Sequence, residues 1–304
     1  MRCSVCSLFT ALLICAALSA TAALGQSLSI VKKAESDYWI EASAPVNDPH
    51  ALQASGNLHL WVDIHDDVRE SYSFRFDNAE VSQRYFRLIP SIPPAPPIRV
   101  LLLGDSMTQD GSGWGGGIYG YFKPNATVVN YGTAWASTKL FLQSAEFEKM
   151  LLIKPNYVLM LYGFMDGATT DPNVGTTLEE YADNLRTIVQ TVRGFNGVPI
   201  LITLYSARLF DAQGKVVPSW QERNNITKQV AAGLNTPLID LNQLSMDLLN
   251  ELGPSGSTFM NLFPDDLMHL SPLGAQYHAR LVVNALPDSF GPYLTGIFDP
   301  PPKP

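Results

Sequence analysis

Cysteine is nearly absent from this 304-residue chain, and its three copies, Cys3, Cys6 and Cys15, all fall within the first 25 residues. That opening stretch has Arg2 as its sole charge, is largely apolar between Leu8 and Leu18, and then turns to small residues up to Gly25. This is the pattern of a secretory signal, so residues 1–25 are expected to be removed and the protein to be secreted or periplasmic. Residues 26–304 carry no cysteine, which excludes disulfides and thiolate chemistry even in an oxidising compartment.

Other shortages narrow the function further. No later segment approaches the ~20 apolar residues of a membrane helix, so membrane insertion is not expected. Lys and Arg (20) are outnumbered by Asp and Glu (28), a net charge of −8 that becomes −9 once Arg2 leaves with the signal. The acids are dispersed along the chain, which argues against nucleic acid or an anionic membrane as partner. Phosphate-loop and dinucleotide fingerprints are missing, as is a histidine pair one helical turn apart, so neither metal nor cofactor is expected. Nothing in the pattern bears on oligomeric state.

Proline, by contrast, is clustered: Pro90, Pro93, Pro94, Pro96 and Pro97 form a stiff linker over residues 90–97. Residues 26–89 before it hold short apolar runs separated by Asn, Asp, Pro and Gly, among them 38–42, 58–64 and 72–76, and read as a small β-sandwich. Residues 83–88 resemble the last strand of fibronectin type III-like modules. After the linker, aliphatic strand candidates at 98–103, 126–131, 157–162, 198–204 and 237–241 alternate with helical patterns. Leu178, Tyr181, Leu185, Ile188 and Val192 recur at helical spacing, as do Ile226, Val230 and Leu234. Such alternation predicts one α/β domain with a parallel sheet over 98–290, and a Pro-rich tail over 291–304.

The strand at 98–103 runs straight into Gly104-Asp105-Ser106-Met107. A serine there sits at the carboxyl end of a buried parallel strand, where ligands of open α/β sheets collect, and a nucleophilic serine needs a base. Histidine is scarce enough to test this. Of five, His50, His59 and His65 precede the linker, leaving His269 and His278. Asp266 stands three residues before His269, so one turn can present both side chains: a carboxylate on Nδ1 would hold the tautomer that leaves Nε2 to take the serine proton. Asp265 is the rival carboxylate. His278 lies in an ordinary helical pattern with no acid near it and is read as structural. The plainer alternative for Ser106 is a helix cap.

In order, Gly104-Asp105-Ser106, the segment after Asn130, Gly163-Phe164-Met165-Asp166 and Asp266-Leu267-Met268-His269 resemble the four blocks of the SGNH (GDSL) hydrolases. Gly113-Trp114-Gly115, Val128-Val129-Asn130 and His269-Leu270-Ser271-Pro272 place the resemblance nearest the rhamnogalacturonan acetylesterase branch. The resemblance implies a flavodoxin-like three-layer sheet, Ser106 as nucleophile, His269 as base and Asp266 as orienting carboxylate. The substrate it implies is a small ester or an acetylated polysaccharide. It also implies an oxyanion hole built from the Ser106 N–H, a second-block glycine N–H and a third-block asparagine amide. Counted from Asn130, the glycine position falls on Trp135, with Gly132 the other candidate. Met165 stands at the asparagine position, and a thioether donates nothing. Asp105, Trp114 and Met165 are expected to line the pocket. An altered hole is compatible with a slow esterase, with another donor from the second-block loop, or with a non-hydrolytic carbohydrate-binding protein.

Overall fold

The computed structural model describes residues 27–32, 37–43, 50–55, 62–68, 72–77, 85–90 and 95–295. The signal-like segment and residues 296–304 of the Pro-rich tail therefore lie outside the described residues, as do 58–61 of one expected strand. Two compact units emerge: one comprises the described residues up to Pro96 together with 286–295, the other 97–285. The expected domain end at 290 is thus corrected. Asp288–Tyr293 forms a 3-10 turn that belongs to the first unit, where the Tyr293 hydroxyl donates to the Pro96 carbonyl at 3.1 Å.

The first unit contains β1 (Ser27–Lys32), β2 (Asp37–Ser43), β3 (His50–Ser55), β4 (Val62–Val68), β5 (Tyr72–Asp77) and β6 (Tyr85–Pro90). They form two three-stranded antiparallel sheets, β1-β2-β5 and β4-β3-β6. Ile40 and Ala42 of β2 are buried at alternate positions, which is the period of a strand with one face covered, and Leu52 of β3 and Phe86 of β6 are buried as well.

The second unit is an α/β domain. Its strands are β7 (Ile98–Gly104), β8 (Ala126–Asn130), β9 (Tyr157–Leu161), β10 (Val198–Ile202) and β11 (Leu238–Ile239), all parallel, in the order β11-β10-β9-β7-β8. Its helices are α1 (Thr138–Leu142), α2 (Ala145–Ile153), α3 (Phe164–Ala168), α4 (Leu178–Gly194), α5 (Gln221–Gly233), α6 (Leu241–Gly256) and α7 (Pro272–Asn284). The expected flavodoxin-like strand order is observed. Leu101 and Leu103, Val158 and Met160, and Leu201 share one buried cluster with Tyr181, Leu185, Ile188 and Val192 of α4 and Val230 of α5. The alternate residues Val100, Leu102, Leu159 and Ile200 are equally buried and face the opposite side. Leu178, expected on the α4 stripe, is instead more than a third exposed at the first helical position. There the capping box of Thr177 and Glu180 sets the helix start.

This order puts the topological switch point between β7 and β9, because β8 lies to one side of β7 and β9 to the other. A crevice opens at such a point beyond the carboxyl ends of the strands. The Gly104-Asp105-Ser106 turn follows β7 there, and the Gly163–Asp166 turn follows β9.

Candidate active site

Gly104 ends β7 because nothing larger fits. A Cβ there would lie 2.1 Å from Thr108 Oγ1 and 2.4 Å from the Leu161 carbonyl oxygen. The chain then turns tightly, with the Thr108 and Gln109 N–H groups both donating to the Asp105 carbonyl. Ser106, 8 % exposed, stands at the head of that turn. Its Oγ is 2.9 Å from His269 Nε2. His269 Nδ1 lies 2.9 Å from Asp266 Oδ2, while Asp266 Oδ1 accepts the Met268 and His269 N–H groups at 3.0 and 2.8 Å. Burial presses the Asp266 carboxyl upward, but the two N–H donors and the imidazole outweigh it and hold the group below its usual range. An ionised carboxylate on Nδ1 calls for the Nδ1–H tautomer, which leaves Nε2 to accept the Ser106 hydroxyl proton.

Three residues proposed from the sequence are therefore together, across 163 positions from Ser106 to His269. Asp265, the rival carboxylate, takes no part in this hydrogen-bonded chain. His278 is fully buried on α7, where its Nδ1 meets the Gly274 carbonyl at 2.9 Å. Burial lowers it to about 4, so it is a neutral core imidazole.

Other expectations are corrected. The Gly132 N–H donates to Asn130 Oδ1 at 2.7 Å, and its single proton is thereby committed. Gly132 is not a free oxyanion donor. Trp114 is wholly buried, with its backbone N–H on the Met107 carbonyl, and packs as core rather than pocket wall. Asp105 and Met165 are also buried, and act on each other: the Asp105 carboxyl accepts the Met107 N–H at 2.9 Å and the Met165 N–H at 3.4 Å, tying the nucleophile turn to the third block. Burial, with Asp166 nearby, pushes Asp105 up to about 7 despite those donors. Met165 thus supplies an oxyanion with neither its side chain nor its engaged N–H.

Trp135 is different. Its backbone N–H and that of Ser106 have no hydrogen-bond partner among the described residues. Its φ is +69°, in the left-handed region that glycine occupies freely and that costs other residues roughly 1–2 kcal/mol. The indole, rather than crowding an acyl pocket, is 73 % exposed. The loop carrying it is pinned to the nucleophile turn, with the Thr133 N–H on the Gly104 carbonyl at 3.0 Å and Asn130 Nδ2 on the Thr108 carbonyl at 2.8 Å.

Two braces escaped sequence reasoning. Asp166, buried after β9, accepts from the Thr138 N–H and hydroxyl and from the Thr176 hydroxyl, so it takes the first N–H of α1, which Ser137 caps, and holds the second-block loop's far end. Arg208, 4 % exposed, donates through Nη2 to the Asp266 and His269 carbonyls and through Nε to Asn261 Oδ1. The one available signal was a lone arginine after an apolar strand, in Leu204-Tyr205-Ser206-Ala207-Arg208. Among the described residues, no cluster of His, Cys, Asp and Glu could hold a metal ion, and no helix is long and apolar enough to cross a membrane.

A serine, an imidazole and a carboxylate joined in this order at the carboxyl end of a parallel sheet are the arrangement of serine hydrolases. Residues 102–277 match the GDSL-like Lipase/Acylhydrolase family. The chain belongs to that family, and with it to the carboxylic ester hydrolases. Rhamnogalacturonan acetylesterase RhgT of Bacillus subtilis strain 168 is 26 % identical over 211 residues, covering 62 % of this chain and 90 % of that protein. The isoamyl acetate-hydrolyzing esterase 1 homolog of Bos taurus is 29 % identical over 195 residues, covering 59 % and 77 %. Among solved structures, the YxiM protein of Bacillus subtilis shares the fold with a TM-score of 0.57 at 19 % identity, covering 83 % of this chain and 77 % of that one.

Proposed function

We propose that the chain is a secreted serine esterase that removes acetyl or other short acyl groups from cell-wall polysaccharide. The observation that carries this reading is the pair of 2.9 Å contacts joining Ser106 Oγ to His269 and His269 to Asp266. In the proposed reaction the Ser106 hydroxyl gives its proton to His269 Nε2 as Oγ bonds to the ester carbonyl carbon. The imidazolium that forms is stabilised by Asp266. The carbonyl oxygen becomes an oxyanion, for which the unpartnered N–H groups of Ser106 and Trp135 are the candidate donors. Collapse expels the alcohol with the proton from His269, and a water activated by the same imidazole releases the acid. A third donor is missing at Met165, and one such donor is worth about 10²–10³ in rate. A slow chemical step is therefore expected.

Export rests on the signal-like residues 1–25, and the polysaccharide on similarity to RhgT. Similarity to the isoamyl acetate-hydrolyzing esterase homolog favours a second reading, a short-chain carboxylesterase acting on non-carbohydrate esters. The two separate when the protein and Ser106→Ala are offered p-nitrophenyl acetate, butyrate and longer esters, and acetate release is then measured on acetylated pectin and xylan. Ser106-dependent deacetylation of polysaccharide is the expected result. Turnover of small esters alone would select the second reading, and no Ser106-dependent turnover would sink both.

A further inference from the structure

Little burial of the Trp135 ring offsets the cost of its backbone conformation. A glycine would adopt its left-handed backbone without strain, and its ring, being mostly exposed, contributes little to the core. Strain held at the edge of a reactive site points to a ligand.

A cavity of about 180 Å³ adjoins the indole. Aromatic rings of Tyr131, Phe141 and Tyr162 line it, with Thr133 and Glu146 supplying polar groups. The Tyr162 hydroxyl is buried against the Gly104 backbone, two residues from the nucleophile. Thr133 Oγ1 donates to the Tyr131 carbonyl and keeps its lone pairs, and Glu146 meets Lys149 through one oxygen only. Flat aromatic surface ringed by polar atoms with spare capacity suits a saturated ring that has a C–H face and peripheral hydroxyls.

We infer that Trp135 and this cavity form a subsite for a pyranose ring of the esterified alcohol, which makes Trp135 a specificity-determining residue. The inference rests on the esterase reading above and adds which residues would hold a sugar ring of the alcohol. Expected for Trp135→Ala is a fall in kcat/KM on acetylated xylo-oligosaccharide at least tenfold greater than the fall on ethyl acetate, which has no ring to stack. Most of the differential should lie in KM, and Trp135→Phe should recover part of it. Equal falls on the two esters, or none, would overturn the subsite. A binding arm removes dependence on turnover: calorimetry of deacetylated xylo-oligosaccharide with Ser106→Ala and with Ser106→Ala/Trp135→Ala. A tenfold or greater weakening in the double variant supports the subsite even if ester cleavage were absent, and equal affinity counts against it even if cleavage were present.

Discussion

Arg208 and His269 are joined through the backbone: the guanidinium Nη2 donates to the His269 carbonyl at 3.0 Å and to the Asp266 carbonyl at 2.6 Å. The Arg208 backbone N–H also donates to the Leu267 carbonyl at 2.9 Å. A single buried cation thus grips the turn that carries Asp266 and His269 through its backbone, without touching their side chains. Asn261, held by Arg208 Nε, extends the grip to the start of the same loop through its own bond to the Pro264 carbonyl at 3.0 Å.

Arg208→Met keeps the length of the side chain and removes the donors. It should lower unfolding free energy by about 2–4 kcal/mol in urea titration, since buried carbonyls lose a charged partner. Hydrolysis of p-nitrophenyl acetate should lose about 10–100-fold in kcat with KM within about twofold, because misplacing a base costs the transition state rather than binding. Arg208→Lys should restore part of kcat. A loss confined to stability would reduce Arg208 to scaffolding.

Asp266→Asn preserves an oxygen for the Met268 and His269 N–H groups but presents an amide to the imidazole. An amide N–H facing Nδ1 favours the wrong tautomer, so kcat should drop about 10³–10⁴-fold while the fold persists, as judged by circular dichroism. Retention of more than a tenth of the activity would mean that another group orients His269.

Asp105 makes stability depend on pH in a definite direction. Its carboxyl is raised from 3.8 to about 7 in the folded protein, so between those values the unfolded chain releases a proton that the folded one keeps. Rising pH therefore favours unfolding across that window, by on the order of 4 kcal/mol in total, and the slope ends above about 7. His278 acts oppositely: lowered from 6.5 to about 4, it stays neutral while the unfolded chain gains a proton, so stability falls as pH drops through that range. The two windows overlap and their slopes oppose, so the parent protein's denaturant midpoint should vary little between about pH 4 and 6.5, whereas Asp105→Asn should expose a fall toward acid and His278→Gln a fall toward neutral pH. Unchanged profiles would remove both groups from the linkage.

Met165→Asn restores an amide where the sequence pattern of the family has one. If the oxyanion is short of a donor, kcat on p-nitrophenyl acetate should rise at least tenfold, against a ceiling of about 10²–10³ for one donor. Stability should fall by about 1–3 kcal/mol, because Met165 is buried and a polar group replaces it. A kcat that stays level would show that the hole is already complete.

The sheet and the hydrogen-bonded trio proposed to react were legible because each depends on local pattern. Ile98 to Leu103 is a continuous apolar run, and a doubly covered parallel strand requires one. The scarcity of histidine reduced the base to His269 or His278, and the three-residue step from Asp266 to His269 did the rest. Arg208 was not legible, since it is 53 residues from Asn261 and 61 from His269, and no local periodicity reports a hydrogen bond of that span. Gly132 looked available for the same reason: only the folded loop turns the Asn130 side chain back onto its N–H.

By itself, then, the sequence determined the parallel α/β class and the trio Ser106, His269 and Asp266, because strand burial and a one-turn spacing are written in neighbouring residues. Tertiary structure alone decided which backbone donors stay free, which carboxyls are buried beneath the nucleophile, and that Trp135 stands exposed in a left-handed conformation. Those properties arise where segments distant in sequence meet, and hydrogen-bond geometry and desolvation come into being only when they do.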